Sequence, residues 1–231
     1  MSSPQNTGPE HTGSETTSAE TTGAGRTGPE RINSENIRTY VERMASDAPA
    51  PGGGAAGALQ AALGAALLGM SARYSTGSEH AADAAARTEE LIPAALRLAD
   101  ADAEAFGELS AAFGLPQDTD EQRAARSRAV QEATAGAARP PQELIGVAAE
   151  VLDLARELTG WCNPNVLSDV AAAVEAARAA VATALVTLEI NVRSLKDEDV
   201  AQQLRAEVAR GERAVEDAAE LSRRIRERVQ D

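Results

Sequence analysis

The chain has 231 residues, enough for one domain with its own core, and carries a formal net charge of -14 with 2% aromatic residues. A body this acidic lacks the basic footprint that nucleic acid or an anionic membrane surface requires, though a small anionic ligand held by local arginines is not excluded. Cys162 is the single cysteine and precludes an internal disulfide. Of the two histidines, His11 lies near the N-terminus, leaving His80 as the imidazole for any metal site or Ser-His-Asp triad and making both poor readings.

Fifty-one residues are alanine, and no run of alternating Val, Ile, Thr or aromatic residues reaches strand length. A core of Ala, Leu and Val gains density through helices packed at short range. The composition therefore predicts an all-α fold, an antiparallel bundle of seven to eight helices joined by short connections.

Residues 1–33 are rich in Ser, Thr, Gly and Pro, nearly free of apolar side chains, and repeat Thr-Gly-Pro-Glu at 7–10 and 27–30. Such a composition predicts a disordered, solvated tail. It lacks the apolar core of a secretory signal, which makes the cytoplasm the expected location. The helical domain is expected over 34–231. Ser34 is placed to cap a first helix whose apolar stripe is Ile37, Tyr40, Val41 and Met44. Asp47 to Gly54 breaks that helix.

The next segment, 53–72, contains no charge: eight alanines, five glycines, four leucines and a methionine. Its length suits a membrane span, but Ala and Gly contribute little to insertion and Gln60 opposes it. Gly52-Gly53-Gly54 lacks the Gly-Lys-Ser/Thr that would make a phosphate loop. Small residues recur every fourth position at Gly53, Gly57, Ala61, Ala65 and Gly69, which predicts a close helix seam within the chain or across a dimer. Gly52, Gly53 and Gly54 stand at the helix start, where unpaired N–H groups can receive an oxyanion or carboxylate.

A third helical region, about 79–113, contains Pro93, expected to kink or divide it. Within it Asp102 shares a face with Leu98, Ala95, Ala105 and Phe106, whereas Asp100 aligns with Glu104 and Arg97. A carboxyl on an apolar face has its pKa raised; it is either capped or ion-paired, or used chemically. Gly114-Leu115-Pro116 closes this region, Thr119 caps a helix to about 138, and Pro140-Pro141 restarts the chain into a helix to about 158.

After the loop Gly160 to Pro164, a long helix is expected over about 165–194 and a charged one over about 197–229. Asp169 lies in the first turns of the long helix, complementing its dipole or serving a site near Asn163. Asn191 lies 22 residues further on, ~33 Å along a straight helix, so Asp169 and Asn191 cannot share one pocket within a subunit. Asn191 either belongs to a second face of a dimeric site or caps a helix end. Trp161 either stacks on a ligand ring or anchors the core.

In order and spacing, Ala-Pro-Gly-Gly-Gly at 50–54, the Ala-rich helix to Met70, Asp100-Ala-Asp102-Ala-Glu-Ala-Phe106, Leu115-Pro116, Arg126, Ala129 and Gln131, the Pro141 restart, Asn163 with Ser168-Asp169, and Ile190-Asn191 resemble the cyclodeaminase/cyclohydrolase family. That family comprises the C-terminal half of formiminotransferase-cyclodeaminase and stand-alone methenyltetrahydrofolate cyclohydrolases. The resemblance covers about 35–229. It implies an all-helical homodimer acting on a tetrahydrofolate one-carbon adduct, either closing 5-formiminotetrahydrofolate to the 5,10-methenyl form with loss of ammonia or hydrolysing that form to 10-formyltetrahydrofolate. No cofactor or metal is implied; the folate is the substrate. Both reacting centres are cationic amidinium groups that need proton transfer at nitrogen, work that carboxylates perform. On this reading Asp102 and Asp169 are the catalytic candidates, and Gly52, Gly53, Gly54, Asn163 and Asn191 the substrate-binding ones. The chain departs from the family at Ser78-Glu79 after Gly77, at Cys162 and at Thr187, where basic residues, Gly and Asn are common. These departures motivate an alternative, a catalytically lapsed helical dimer that binds folate or a protein partner.

Overall fold

The computed structural model describes residues 36–230. The chain divides into units 1–30 and 31–231, and every described element lies in the second. The expected tail, 1–33, and the expected cap Ser34 lie outside the described residues. The elements are α1 (Ile37–Met44), α2 (Gly53–Arg73), α3 (Ala81–Phe113), α4 (Asp120–Ala137), α5 (Arg139–Trp161), a 3-10 turn (Pro164–Val166), α6 (Leu167–Ser194) and α7 (Glu198–Gln230), with no strand among the described residues. The all-α expectation holds.

Asn36 caps α1, its side-chain oxygen accepting from Thr39 N–H at 3.0 Å. Of the stripe expected to be buried on α1, Tyr40 is buried but Ile37 and Val41 are exposed. Pro93 does not divide α3, which runs unbroken from Ala81 to Phe113. The lost hydrogen bond to the Glu89 carbonyl is borne by a helix whose Leu91, Ala95 and Leu98 are buried on both sides of the proline. α5 starts two residues earlier than expected because Pro140 and Pro141 occupy its first turn, where a missing N–H costs nothing. Thr119 caps α4 in a reciprocal capping box with Gln122.

α2 lies against α3, α5 and α6, and its small residues explain how. A Cβ added at Gly57 would stand 3.2 Å from Leu144 of α5 and Thr183 of α6; one at Gly64 would stand 3.1 Å from the Ala173 carbonyl. At Gly69 the obstruction is Thr88 of α3, at 2.5 Å. The every-fourth-residue row turns by 40° per step, so it begins against α6 and ends against α3. The seam is thus formed inside the chain, with Ala61 and Ala65 fully buried. These contacts also fix direction. Gly57 and Gly64 face Leu144 and Val151 in rising order, so α5 runs parallel to α2, whereas α3 and α6 run antiparallel. Gly211 of α7 meets Leu185, and Ser222 donates to Glu175 at 2.6 Å, setting α7 antiparallel to α6.

α2 and the segment 164–194 are both long and apolar enough to cross a membrane by length and composition. In α2 this reflects core position, 61% of the apolar window being buried; in the second the figure is 39%, and Val186 and Ile190 are exposed.

Candidate active site

α3 overshoots the start of α2. Asp102 is level with Gly54, and the eleven residues beyond it carry one buried side chain, Ala112, because α2 no longer covers them. Phe106, expected on the apolar face, is accordingly exposed. The overshoot, the end of α4 and the start of α5 enclose a cleft of about 280 Å³. Leu98, Ala101 and Ala105, the helical neighbours of Asp102, form one wall; Gly136, Arg139, Pro140 and Glu143 form the other.

Asp102 acts on α2 directly. Gly52, at the cap position, has no side chain to offer, and Asp102 Oδ2 accepts from Ala55 N–H at 3.1 Å instead. The fit demands glycine at 54, since a Cβ there would stand 2.0 Å from Asp102 Oδ1. Burial pushes the Asp102 carboxyl above the usual aspartate value of 3.8, and the Ala55 hydrogen bond partly opposes that rise. Asp102 therefore caps a helix, and the same burial shifts its carboxyl toward the neutral form. Among the first N–H groups of α2, that of Ala55 is taken by the protein, while those of Gly53 and Gly54 have no partner among the described residues.

The other candidates fall into two places. Asn191, near the end of α6, belongs to the Asp102 end. It is buried, and its Nδ2 donates to the carbonyl of Ala137, the last residue of α4, at 3.0 Å. It thus caps a helix end, though that of α4 rather than of its own helix. Asn163 stands at the opposite end of α2. Its N–H donates to Ser75 Oγ at 2.8 Å, its Nδ2 to the Tyr74 carbonyl at 3.2 Å, and its Oδ1 accepts from Asn165 N–H at 3.0 Å. Both side-chain atoms are engaged in pinning the α5–α6 loop to the end of α2. Asp169, partly buried in the first turn of α6, shares that end. From Ala55 to Tyr74 is roughly 30 Å at 1.5 Å per residue, so one chain does not bring Asn163 and Asp169 to Asp102. A second cleft of about 310 Å³ opens beside Asn163, lined by Tyr74–Ser78 and Trp161–Pro164, with His80 against Trp161 at a centroid distance of 5.9 Å.

The profile of the Formiminotransferase-cyclodeaminase family matches residues 36–210. The chain belongs to this family. It is 35% identical over 199 residues to a methenyltetrahydrofolate cyclohydrolase of Methylorubrum extorquens, spanning 83% of this chain and 94% of that one. It is 30% identical to a formimidoyltransferase-cyclodeaminase of Rattus norvegicus, covering 33% of that longer protein. A formiminotetrahydrofolate cyclodeaminase structure from Thermotoga maritima superposes with a TM-score of 0.76 over 87% of this chain at 22% identity, which establishes the shared fold.

Sequence reasoning missed three members of the Asp102 end. The Ala55 N–H is invisible because backbone donors carry no side-chain signature. Thr183 of α6 closes on Gly53 and Gly57, a meeting of two helices far apart in sequence that no local signal announces. Arg139, the cation lining the cleft, reads in the sequence as an ordinary residue before Pro140. Among the described residues no group of three or more His, Cys, Asp or Glu is placed to hold a metal.

Proposed function

We propose that this chain acts on a tetrahydrofolate one-carbon adduct at the notch beyond the N-terminus of α2, hydrolysing 5,10-methenyltetrahydrofolate to 10-formyltetrahydrofolate. The observation that carries this reading is Asp102, a carboxyl of raised pKa beside a cleft and against a helix N-terminus. The full-length likeness to a methenyltetrahydrofolate cyclohydrolase favours hydrolysis over deamination. The substrate cation is received by an acidic wall, where Glu104, Glu108 and Glu143 outnumber Arg139. As carboxylate, Asp102 takes a proton from the water that attacks the methenyl carbon. As carboxylic acid, it returns that proton to N5 as the C–N5 bond breaks; the second water proton leaves when the carbinolamine collapses to the formyl group. A raised pKa suits a group that must alternate between both forms. The Gly53 and Gly54 N–H groups are positioned for the developing oxygen charge. No metal or cofactor is needed for these steps. We place the protein in the cytoplasm, as a homodimer.

The test is a direct assay with both adducts, following the methenyl absorbance and ammonia release in parallel. Loss of the methenyl form without ammonia supports hydrolysis. Ammonia from the 5-formimino adduct establishes deamination instead. Binding without turnover of either adduct supports the lapsed alternative.

A further inference from the structure

Arginines on the helices of this chain are commonly set by an acid three residues earlier. Asp153 holds Arg156, Glu175 holds Arg178 and Glu207 holds Arg210 in this way. Arg139 breaks the pattern. The residue three before it is Gly136, and no hydrogen bond or ion pair reaches its guanidinium among the described residues. Glu143, one turn further along α5, lines the same cleft without closing on it. A Cβ at Gly136 would meet nothing within 4 Å, so packing does not call for glycine there. Its missing side chain leaves open space in the cleft wall that Gly136 and Arg139 share.

We propose that Arg139 is a specificity-determining residue, which receives a carboxylate from the tail of the substrate. This rests on the proposed function above, and it says which end of the adduct Arg139 reads. The cleft carries charges of two signs on two walls: Glu104 and Glu108 stand on α3 beside Asp102, and the exposed Arg139 stands opposite. The adduct carries the same two signs, a cationic amidinium at the one-carbon unit and carboxylates on its glutamate tail. A cleft of about 280 Å³ holds only part of so elongated a molecule, so the tail leaves across the rim. At that rim a carboxylate meets the repulsion of a protein of net charge -14. A guanidinium without an internal acid offsets this, because its parallel N–H donors match a carboxylate in a two-point contact. Arg156 or Arg178 would first have to release its own acid.

The test is a cycle of two proteins and two substrates. Wild type and Arg139→Gln are each assayed with 5,10-methenyltetrahydrofolate and with 5,10-methenyltetrahydropteroate, which lacks the glutamate. Where no turnover occurs, dissociation constants of the same two compounds from equilibrium dialysis take the place of KM. Wild type should show a KM about tenfold lower for the glutamate-bearing adduct, the scale of one charge-assisted contact. Arg139→Gln should lose that preference and handle both compounds at the KM wild type shows for the pteroate, with less effect on kcat. A variant that raises KM equally for both compounds would show that Arg139 shapes the cleft and does not read the tail. A variant that keeps the preference, or a wild type without one, would place the tail elsewhere. Each of these three results overturns the assignment and leaves the proposed function standing. A wild type that neither turns over nor binds either compound removes the proposed function and the assignment together.

Discussion

The Asp102 carboxylate accepts a hydrogen bond from the Ala55 N–H at 3.1 Å, across 47 positions of sequence, and so supplies the cap that Gly52 cannot. One group thereby joins the start of the central helix to the chemistry proposed at its end. Asp102→Asn separates these roles, because the amide oxygen retains the acceptor and loses the titrating proton. Turnover of the folate adduct should fall about 10²–10⁴-fold with the fold intact. The sign of the stability effect follows from the raised pKa. Folding favours the protonated form, so the contribution of Asp102 is complete below the ordinary value of 3.8 and is lost as pH rises through its folded value. The melting temperature of Asp102→Asn relative to wild type should therefore increase from acid to neutral pH; a constant difference would show that burial does not perturb Asp102.

The same shift governs the pH dependence of the rate. If the Asp102 carboxylate accepts the proton of water, the acid limb of kcat/KM should lie above pH 3.8 and disappear in whatever activity Asp102→Asn retains. An identical acid limb in the variant would assign the titration to another group.

Gly54 tests the contact from the other side. A methyl group there would overlap the Asp102 carboxyl at 2.0 Å, and α3 cannot retreat without opening the core at Leu98 and Ala99. Gly54→Ala should displace Asp102, leave the Ala55 N–H uncapped at a cost of about 1 kcal/mol, and lower kcat more than KM. Gly52→Ala, with nothing within 4 Å of the added carbon, should leave melting temperature and kcat close to wild type.

The seam of α2 was legible in the sequence, but its location was not. Small residues at 57, 61, 65 and 69 announced a close contact; they could not say whether the neighbour belonged to the same chain. Ala61 is fully buried within the chain, so Ala61→Leu should overpack it by about 1–3 kcal/mol and lower the melting temperature without changing the mass by light scattering. A change of mass with an unchanged melt would move the seam to an interface.

Helix existence and most boundaries could be read from periodicity, caps and prolines, because those signals act within a few residues. Thr119 with Gln122 and the Pro140-Pro141 start are examples. Pro93 does not divide α3, since the burial of Leu91, Ala95 and Leu98 around it holds the helix together. Asp102 was legible as a carboxyl on an apolar face, yet its partner at Ala55 was not, because tertiary register set the meeting. Asn163 and Asp169 were legible as a pair but not as residents of the far end of α2, a fact fixed by the parallel run of α5.

Asn191 provides the last test. Its Nδ2 is committed to the Ala137 carbonyl at 3.0 Å in a buried setting, where α4 turns into α5 beside the cleft. Asn191→Ala removes the donor and leaves that carbonyl without it, which should cost about 1–3 kcal/mol. Asn191→Asp should cost more, because a carboxylate would face a carbonyl oxygen. If Asn191 acts through this cap alone, KM measured well below the melting transition should stay at the wild-type value in both variants. A raised KM with an unchanged melting temperature would show that the side chain touches substrate.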